Sequence, residues 1–286
     1  MNVIQALLDG IMIGGVYAVL AIGLSLVFGI MHIINFSHAE FVMVGMFTAY
    51  FIWLFLGLDP LIGAFFAFAF AFVLGMGIQH LLIRRVLDAP PVAQIFLTVG
   101  LLIVLENGAL LLFGSEFRSV QTPYQTMALF IGPIYISVPY LLAFCMSLGC
   151  GVALWLFLRY TSLGWAMRAT AQNAMAARLM GIDPDRVRRI AFGIGAGTTA
   201  FGGAIILPYL TASPTVGSQF VVLMFTAVVL GGLGNVLGAV VGGLAVGIIQ
   251  SMSTLILPIQ LQNLTLFVVF IAVLALRPQG LLKGGS

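Results

Sequence analysis

The chain has 286 residues, of which 62% are hydrophobic and only 7% are charged, and its formal net charge is +3. A soluble globular domain carries about 25% charged residues, so this composition excludes a soluble protein. It predicts an all-α polytopic membrane protein, with a single transmembrane domain over residues 1–286 and no soluble domain.

The hydrophobic runs predict eight or nine membrane-spanning helices, because a span needs roughly 20 apolar residues. The first run is long enough to be tilted or broken, and no basic segment precedes it, which favours a retained span over a cleaved signal peptide. Cys145 and Cys150 share one run on different helix faces, so no disulfide is expected. The predicted spans are 3–30, 39–57, 62–83, 93–113, 138–158, 191–210, 219–231, 236–257 and 261–276.

A polar interruption, MHIINFSHAEF, separates the first two predicted spans and contains Asn35, Ser37, His38 and Glu40. A broken helix is tolerated at membrane depth only where protein buries it or where it lines a water-filled cavity. An intramembrane carboxylate is costly and marks either function or structural pairing. The segment is therefore part of a translocation path or a pair of helix caps. Its histidine and glutamate spacing, without cysteine, does not indicate a metal site.

Two further features could belong to such a path. Glu106 is the second carboxylate at membrane depth, and it either packs between helices or lines the path. The glycine-rich run LGGLGNVLGAVVGG around Asn235 predicts a second interruption, on the same side of the membrane as the first. Transporters often place paired interruptions beside the substrate, so we hypothesise that 35–40 and 231–238 are related elements of the path. Elsewhere, glycines spaced by four residues predict close helix packing.

The segment at 159–190 is basic and polar, and it holds six of the eleven Lys and Arg residues. Thr161 or Ser162 can cap a helix that runs to Met180 and ends at Gly181. Asp183 can then cap a second helix that leads into the sixth span. The first helix either lies flat at the membrane surface or docks into a cleft on a partner. Its apolar face contains Ala171, Ala174, Met175 and Leu179.

Basic residues set the predicted orientation, since they collect in cytoplasmic loops. Arg84, Arg85, the basic segment, Arg277 and Lys283 all fall on one side of the predicted spans, and only Arg118 falls on the other. This distribution predicts an external N-terminus, a cytoplasmic C-terminus, and a longest external loop at 114–137.

Four stretches together resemble one family. The stretch RATAQNAMAARLMGI (168–182) looks like the coupling-helix segment of ABC importer permeases, and more narrowly it is similar to permeases for branched-chain amino acids and related compounds. The same resemblance extends to the three stretches at 8–45, 225–250 and 277–282.

The resemblance implies a membrane-spanning permease subunit of an ATP-driven, binding-protein-dependent importer in the bacterial inner membrane. Its substrates would be branched-chain amino acids or related small amino acids and amides. It implies as partners a second homologous permease subunit, two cytoplasmic ATPase subunits, a periplasmic binding protein and the lipid bilayer. By the same resemblance, the ATPase-coupling residues would be Gly164, Arg168, Ala171, Ala174, Arg178 and Gly181.

The chain lacks the phosphate-binding loop of ATPases, so we expect no enzymatic activity and no bound cofactor, with ATP and magnesium held by the partner subunits. The alternative is an ion-coupled secondary transporter that uses Glu40 and Glu106, and a third possibility is a structural or signalling membrane protein. The basic segment favours the importer, because a secondary transporter needs no docking helix. Nucleic-acid binding is not expected, since the basic segment is short and has few aromatic residues.

Overall fold

A computed structural model describes residues 3–132, 134–258, 261–276 and 280–281. The predicted cytoplasmic charges Arg277 and Lys283, and most of the stretch at 277–282, lie outside the described residues. Within the described residues the secondary structure is almost entirely helical, and it contains one short hairpin. The elements are α1 (Val3–Met31), α2 (Glu40–Leu56), α3 (Pro60–Leu81), α4 (Pro91–Phe113), β1 (Ala128–Ile131), β2 (Ile134–Ser137), α5 (Val138–Tyr160), α6 (Ser162–Gln172), α7 (Ala174–Leu179), α8 (Pro184–Ile206), α9 (Val216–Gly231), α10 (Val236–Ser253) and α11 (Gln262–Leu276).

The helices confirm the predicted all-α polytopic fold. In the described part of the chain, seven helices are long and apolar enough to cross a membrane, and two shorter apolar helices coincide with the predicted spans 219–231 and 261–276. Helix α1 is continuous over 29 residues, or about 43 Å. The helix that enters the sixth predicted span begins at Pro184, directly after the predicted cap Asp183.

Helices α1 and α8 form the centre of the bundle. In the most apolar 18-residue stretch of each helix, 78% of the residues are buried in α1 and 89% in α8, against 17% in α4 and 17% in α5. The first two are therefore core helices, whereas α4 and α5 lie at the periphery and present most of their side chains outward.

Glycine allows the central helices to touch. A Cβ atom at Gly10 would lie 2.8 Å from the Cα atom of Ile248, and one at Gly14 would lie 2.9 Å from the Cα atom of Leu244, so α1 and α10 are in backbone contact. The same close approach joins α8 to α3 at Gly193. The predicted packing role of the glycines spaced by four is confirmed at these contacts.

The predicted external loop at 114–137 contains a hairpin that we did not predict, in which β1 and β2 pair antiparallel. The side-chain amide of Gln5 holds the hairpin, donating to the Tyr135 carbonyl at 2.7 Å and accepting from the Tyr135 N–H at 3.1 Å. Tyr124 donates to the Asp59 carboxylate at 2.8 Å. Partial burial and this carboxylate raise the pKa of the Tyr124 phenol above its usual range. The loop is thus fastened to α1 and to the start of α3.

Candidate functional site

The polar interruption after α1 folds back into the helix bundle. The chain turns at His32, whose φ of 57° makes it the one non-glycine residue of the described chain in the left-handed region. Residues 32–35 are non-helical, a 3-10 turn covers Phe36–Ala39, and α2 then begins at Glu40. His38 lies beside Gly23, about 12 Å back along α1 from Met31. The predicted broken helix is therefore confirmed.

Two glycines make room for His38. Cβ atoms at Gly23 and Gly195 would lie 3.1 Å and 3.3 Å from its ring, so α1 and α8 receive the imidazole between them. His38 Nε2 shares a hydrogen bond with Thr199 Oγ1 at 2.9 Å. Beside it, Ser37 Oγ donates to Asn35 Oδ1 at 2.6 Å. Three of the predicted path residues thus lie in one buried segment.

Glu40 is fully buried, and its carboxylate lies against Gly217 at the start of α9. A Cβ atom at Gly217 would be 2.6 Å from both carboxylate oxygens. Glu106, which is half-buried on α4, lies close enough to Glu40 for the two carboxylates to interact electrostatically. The two predicted intramembrane carboxylates are therefore within electrostatic range of each other.

Several polar atoms of this segment have no hydrogen-bond partner in the part of the chain that the structure describes. They are Asn35 Nδ2, His38 Nδ1 and both carboxylate oxygens of Glu40. Buried polar groups are almost always paired with protein or with water. The partner of these atoms is therefore expected to be water or a polar solute. We refer to Asn35, Ser37, His38 and Glu40 as the buried polar segment.

Asn235 lies in the second predicted interruption, which is also present. Its side chain accepts from the Gly238 N–H at 3.0 Å and caps α10. The preceding residue, Gly234, has a φ of 80° and packs against Gly29. Because Gly29 is six residues beyond Gly23 on α1, Gly234 and His38 lie at levels about 9 Å apart along that helix.

The basic segment contains two helices, so the prediction of one helix to Met180 was wrong. Thr161 caps α6, as predicted, by accepting from the Gly164 N–H at 3.0 Å. Asn173 then adopts an extended conformation with φ −158° and ψ 102°, and its side chain caps α7. Asparagine is a strong cap former, and this was the signal that we missed. The predicted Gly181 terminator, with φ 83°, and the Asp183 cap of α8 are confirmed.

The six predicted coupling residues differ in their exposure. Gly164 is buried, and a Cβ atom there would overlap the Leu158 backbone. Arg168 donates to the Leu158 carbonyl at 2.5 Å, which fixes the bend between α5 and α6. Ala171 and Ala174 are half-buried, whereas Arg178 and Gly181 are exposed.

The exposed apolar surface of the basic segment belongs to α7 and the residue after it. The exposed fractions are 69% for Met175, 83% for Leu179 and 82% for Met180. Met180 was not part of the predicted apolar face, because the break at Asn173 changes which side chains share a face. We refer to Met175, Leu179 and Met180 as the apolar tip.

Side chains that could hold a metal ion do not cluster. Among the described residues, no three His, Cys, Asp or Glu side chains come together in a suitable group. The candidate sites are therefore the buried polar segment and the apolar tip.

Apolar spanning helices around a buried polar re-entry, with a basic segment that protrudes from them, define a multi-pass membrane protein of the transport class. The model of the family described as "Branched-chain amino acid transport system / permease component" matches residues 6–274. The chain belongs to this family, whose members are permeases of ABC importers in the inner membrane.

Individual relatives agree. The chain is 32% identical to the high-affinity branched-chain amino acid transport system permease protein LivH of Escherichia coli K12, with 98% of this chain and 95% of the relative covered. It is 29% identical to the corresponding protein BraD of Pseudomonas aeruginosa, with the same coverage. A probable LivH of Methanocaldococcus jannaschii is 25% identical over 87% of this chain and 81% of its own length. No solved structure matches the chain.

Proposed function

We propose that this chain is one of two homologous permease subunits of an ATP-driven importer for branched-chain amino acids or related small amino acids and amides. A periplasmic binding protein would deliver the substrate, and two cytoplasmic ATPase subunits would supply the energy and hold the ATP and magnesium. The substrate class comes from the names of the relatives LivH and BraD.

The observation that carries the proposal is the apolar tip. Three large apolar side chains, two on a helix of only six residues and one directly after it, are at least about two-thirds exposed. Helix α7 makes fewer than about two turns, so it offers little apolar area to bury along a membrane surface. A small apolar projection beside Arg178 instead suits insertion into a pocket of a protein partner. We therefore assign ATPase docking to α7 and leave α6 with the membrane domain.

The buried polar segment supports the second half of the proposal, the translocation path. Unpaired polar atoms inside a membrane bundle suit a route taken by a zwitterionic solute, because an apolar route would strip its charges of every partner. Glu40 and Glu106 would lie on this route, and Asn235 would border it at the level of Gly29. Family membership does not favour their use in an ion-coupled secondary transporter.

Leu179→Asp tests the docking assignment. A charge at the apolar tip should weaken ATPase binding by about 30-fold, the effect of losing a contact of about 2 kcal/mol at the centre of an interface. The measurement is the yield of ATPase subunits that co-purify with the tagged full chain in mild detergent, together with substrate-stimulated ATP hydrolysis and uptake in cells.

The control is Gln172→Glu, which adds the same charge at an exposed position just before the break at Asn173. It should leave both the complex and transport intact, and the second permease subunit should stay bound in both variants. Normal ATPase recovery and transport with Leu179→Asp would refute the docking role. Recovery of the unmodified chain without any ATPase, under conditions that preserve a known ABC complex, would refute the importer itself.

A further inference from the structure

A pocket lined by arginine and aromatic side chains lies where α5 ends and α6 begins. Its volume is about 670 Å³, and its walls are Trp155, Leu158, Arg159, Tyr160, Trp165 and Arg168. We refer to it as the arginine pocket. It lies at the membrane-proximal end of the basic segment, before the break at Asn173. None of its lining residues belongs to α7, the helix that we assign to ATPase docking.

Aromatic rings hold both arginines of this pocket. The Arg159 guanidinium lies 5.1 Å from the Trp155 ring centroid and 5.5 Å from that of Tyr160. The Arg168 guanidinium lies 4.5 Å from the Trp165 centroid. In the described part of the chain the ion pairs involve other residues, namely Arg84, Arg188 and Asp185. Two guanidinium groups without a carboxylate partner, both stacked on rings, make a recognition site for a phosphate group.

An apolar groove continues from the arginine pocket along α5. Its volume is about 410 Å³, and α1, α5 and α10 form its walls. On α5 it extends from Phe144 to Trp155, a rise of about 16 Å. Trp155 lines both the groove and the arginine pocket. The apolar groove inside the spanning region and the arginine pocket at its end therefore adjoin at Trp155.

The chemistry of the two parts specifies the ligand. The groove lies on α5, a peripheral helix whose apolar stretch is mostly exposed, so lipid has access to the groove. A fatty acyl chain matches an apolar groove of this length, and basic pockets at the ends of membrane helices bind anionic headgroups. We propose that this site holds one anionic phospholipid, with its phosphate between Arg159 and Arg168 and one acyl chain along the α5 groove. The proposal is independent of the proposed transport function.

Two substitutions test the two parts of the site separately. Arg159→Gln should weaken binding of an anionic phospholipid about fivefold, the effect of one basic residue near a charged headgroup. Gly151→Leu should project into the groove, because a Cβ atom there meets only Ile22 Cδ1 at 3.6 Å. The added side chain should weaken binding about tenfold by displacing methylene groups of the acyl chain.

Each substitution has a matched control. Arg85→Gln removes an exposed arginine at the end of α3, outside the site. Gly149→Leu adds the same side chain to α5 at a position that is exposed and has nothing within 4 Å. Both controls should bind lipid normally. The measurement is native mass spectrometry of the full chain with its co-purifying subunits, titrated with phosphatidylglycerol and, separately, with the zwitterionic phosphatidylethanolamine.

Preferential retention of phosphatidylglycerol, lost in Arg159→Gln and Gly151→Leu but kept in the controls, would support the site. Equal retention of both lipids would overturn it. So would displacement of phosphatidylglycerol by millimolar inorganic phosphate, which would indicate a site for a soluble phosphate compound. Efficient disulfide cross-linking of Leu148→Cys to a second permease subunit would also overturn it, because protein would then cover the groove. Since Arg159 is exposed, its variant should fold even if Gly151→Leu does not.

Discussion

The carboxylate of Glu40 is fully buried and has no hydrogen-bond partner among the described residues. Burying a polar group that has no hydrogen-bond partner costs free energy of folding, and Glu106 adds a second carboxylate nearby. Packing alone gives no reason for an acidic residue at this position, because an apolar side chain of the same size would be more stable. The burial of Glu40 therefore supports its proposed place on the translocation path.

Glu40→Gln should separate function from stability. The amide keeps the volume of the side chain but removes its charge, and a hydrogen bond to a charged group contributes about 1.5–3 kcal/mol, so uptake should fall about tenfold or more. Thermal stability of the purified complex should not fall, because a neutral amide is less costly to bury. Glu116→Gln, at an exposed position outside the spans, should change neither quantity. Full uptake by Glu40→Gln would remove Glu40 from the path.

Sequence reasoning found the residues of the buried polar segment but missed the residues that pack against it. Asn35, Ser37, His38 and Glu40 are visible because polar residues interrupt a long apolar run. Thr199 and Gly217 are not visible, since each lies in an ordinary apolar helix and Thr199 is 161 residues from His38. Local patterns predict where a chain breaks, but the partners of the broken segment depend on helix packing.

At the scale of helices, the contact between α2 and α8 depends on a glycine in each helix. A Cβ atom at Gly45 would overlap the carbonyl oxygen of Ala200, and a backbone atom inside a buried helix cannot move aside. Gly203 makes the same kind of contact with Val42 from the other helix. The start of α2, and with it Glu40, is therefore positioned by backbone contact.

Gly45→Ala should destabilise the protein by about 3 kcal/mol, at the upper end of the usual cost of overpacking. The measurement is thermal unfolding of the purified protein in detergent. Gly77→Ala is the matched control on α3, where an added Cβ atom meets nothing within 4 Å. It should be neutral or slightly stabilising, because alanine favours a helix more than glycine does. Equal melting temperatures for the two variants would show that α2 and α8 can move apart without loss of stability.

The basic segment shows how a helix prediction fails. Residues 164–180 are rich in good helix formers, and propensity summed over this length predicts one helix. Asn173 is decisive because its side chain satisfies the N–H of Ala176 and so offers the chain a new helix start. A single capping residue thereby divides the segment into a part that packs on α5 and a part that projects.

For the whole molecule, hydrophobic run length was sufficient to predict nearly all the positions of the apolar helices, since a span must match the thickness of the bilayer. It could not predict which helices are central, because α1 and α4 are both strongly apolar. Glycine spacing was the better guide, as the glycines of α1 and α8 mark the core contacts. The hairpin at 128–137 was missed because its two strands have only four residues each.

Orientation in the membrane is the remaining prediction for the whole molecule, and it rests on the basic residues. With Cys145 and Cys150 replaced by alanine, we would introduce a single cysteine at Phe130 in the hairpin or at Met180 in the apolar tip, which are 78% and 82% exposed. A membrane-impermeant thiol reagent should label Phe130→Cys in intact cells whose outer membrane is permeable to the reagent. It should label Met180→Cys only after the inner membrane is opened, since basic segments remain in the cytoplasm. The reverse pattern would place α7 outside the cell and exclude contact with any ATPase.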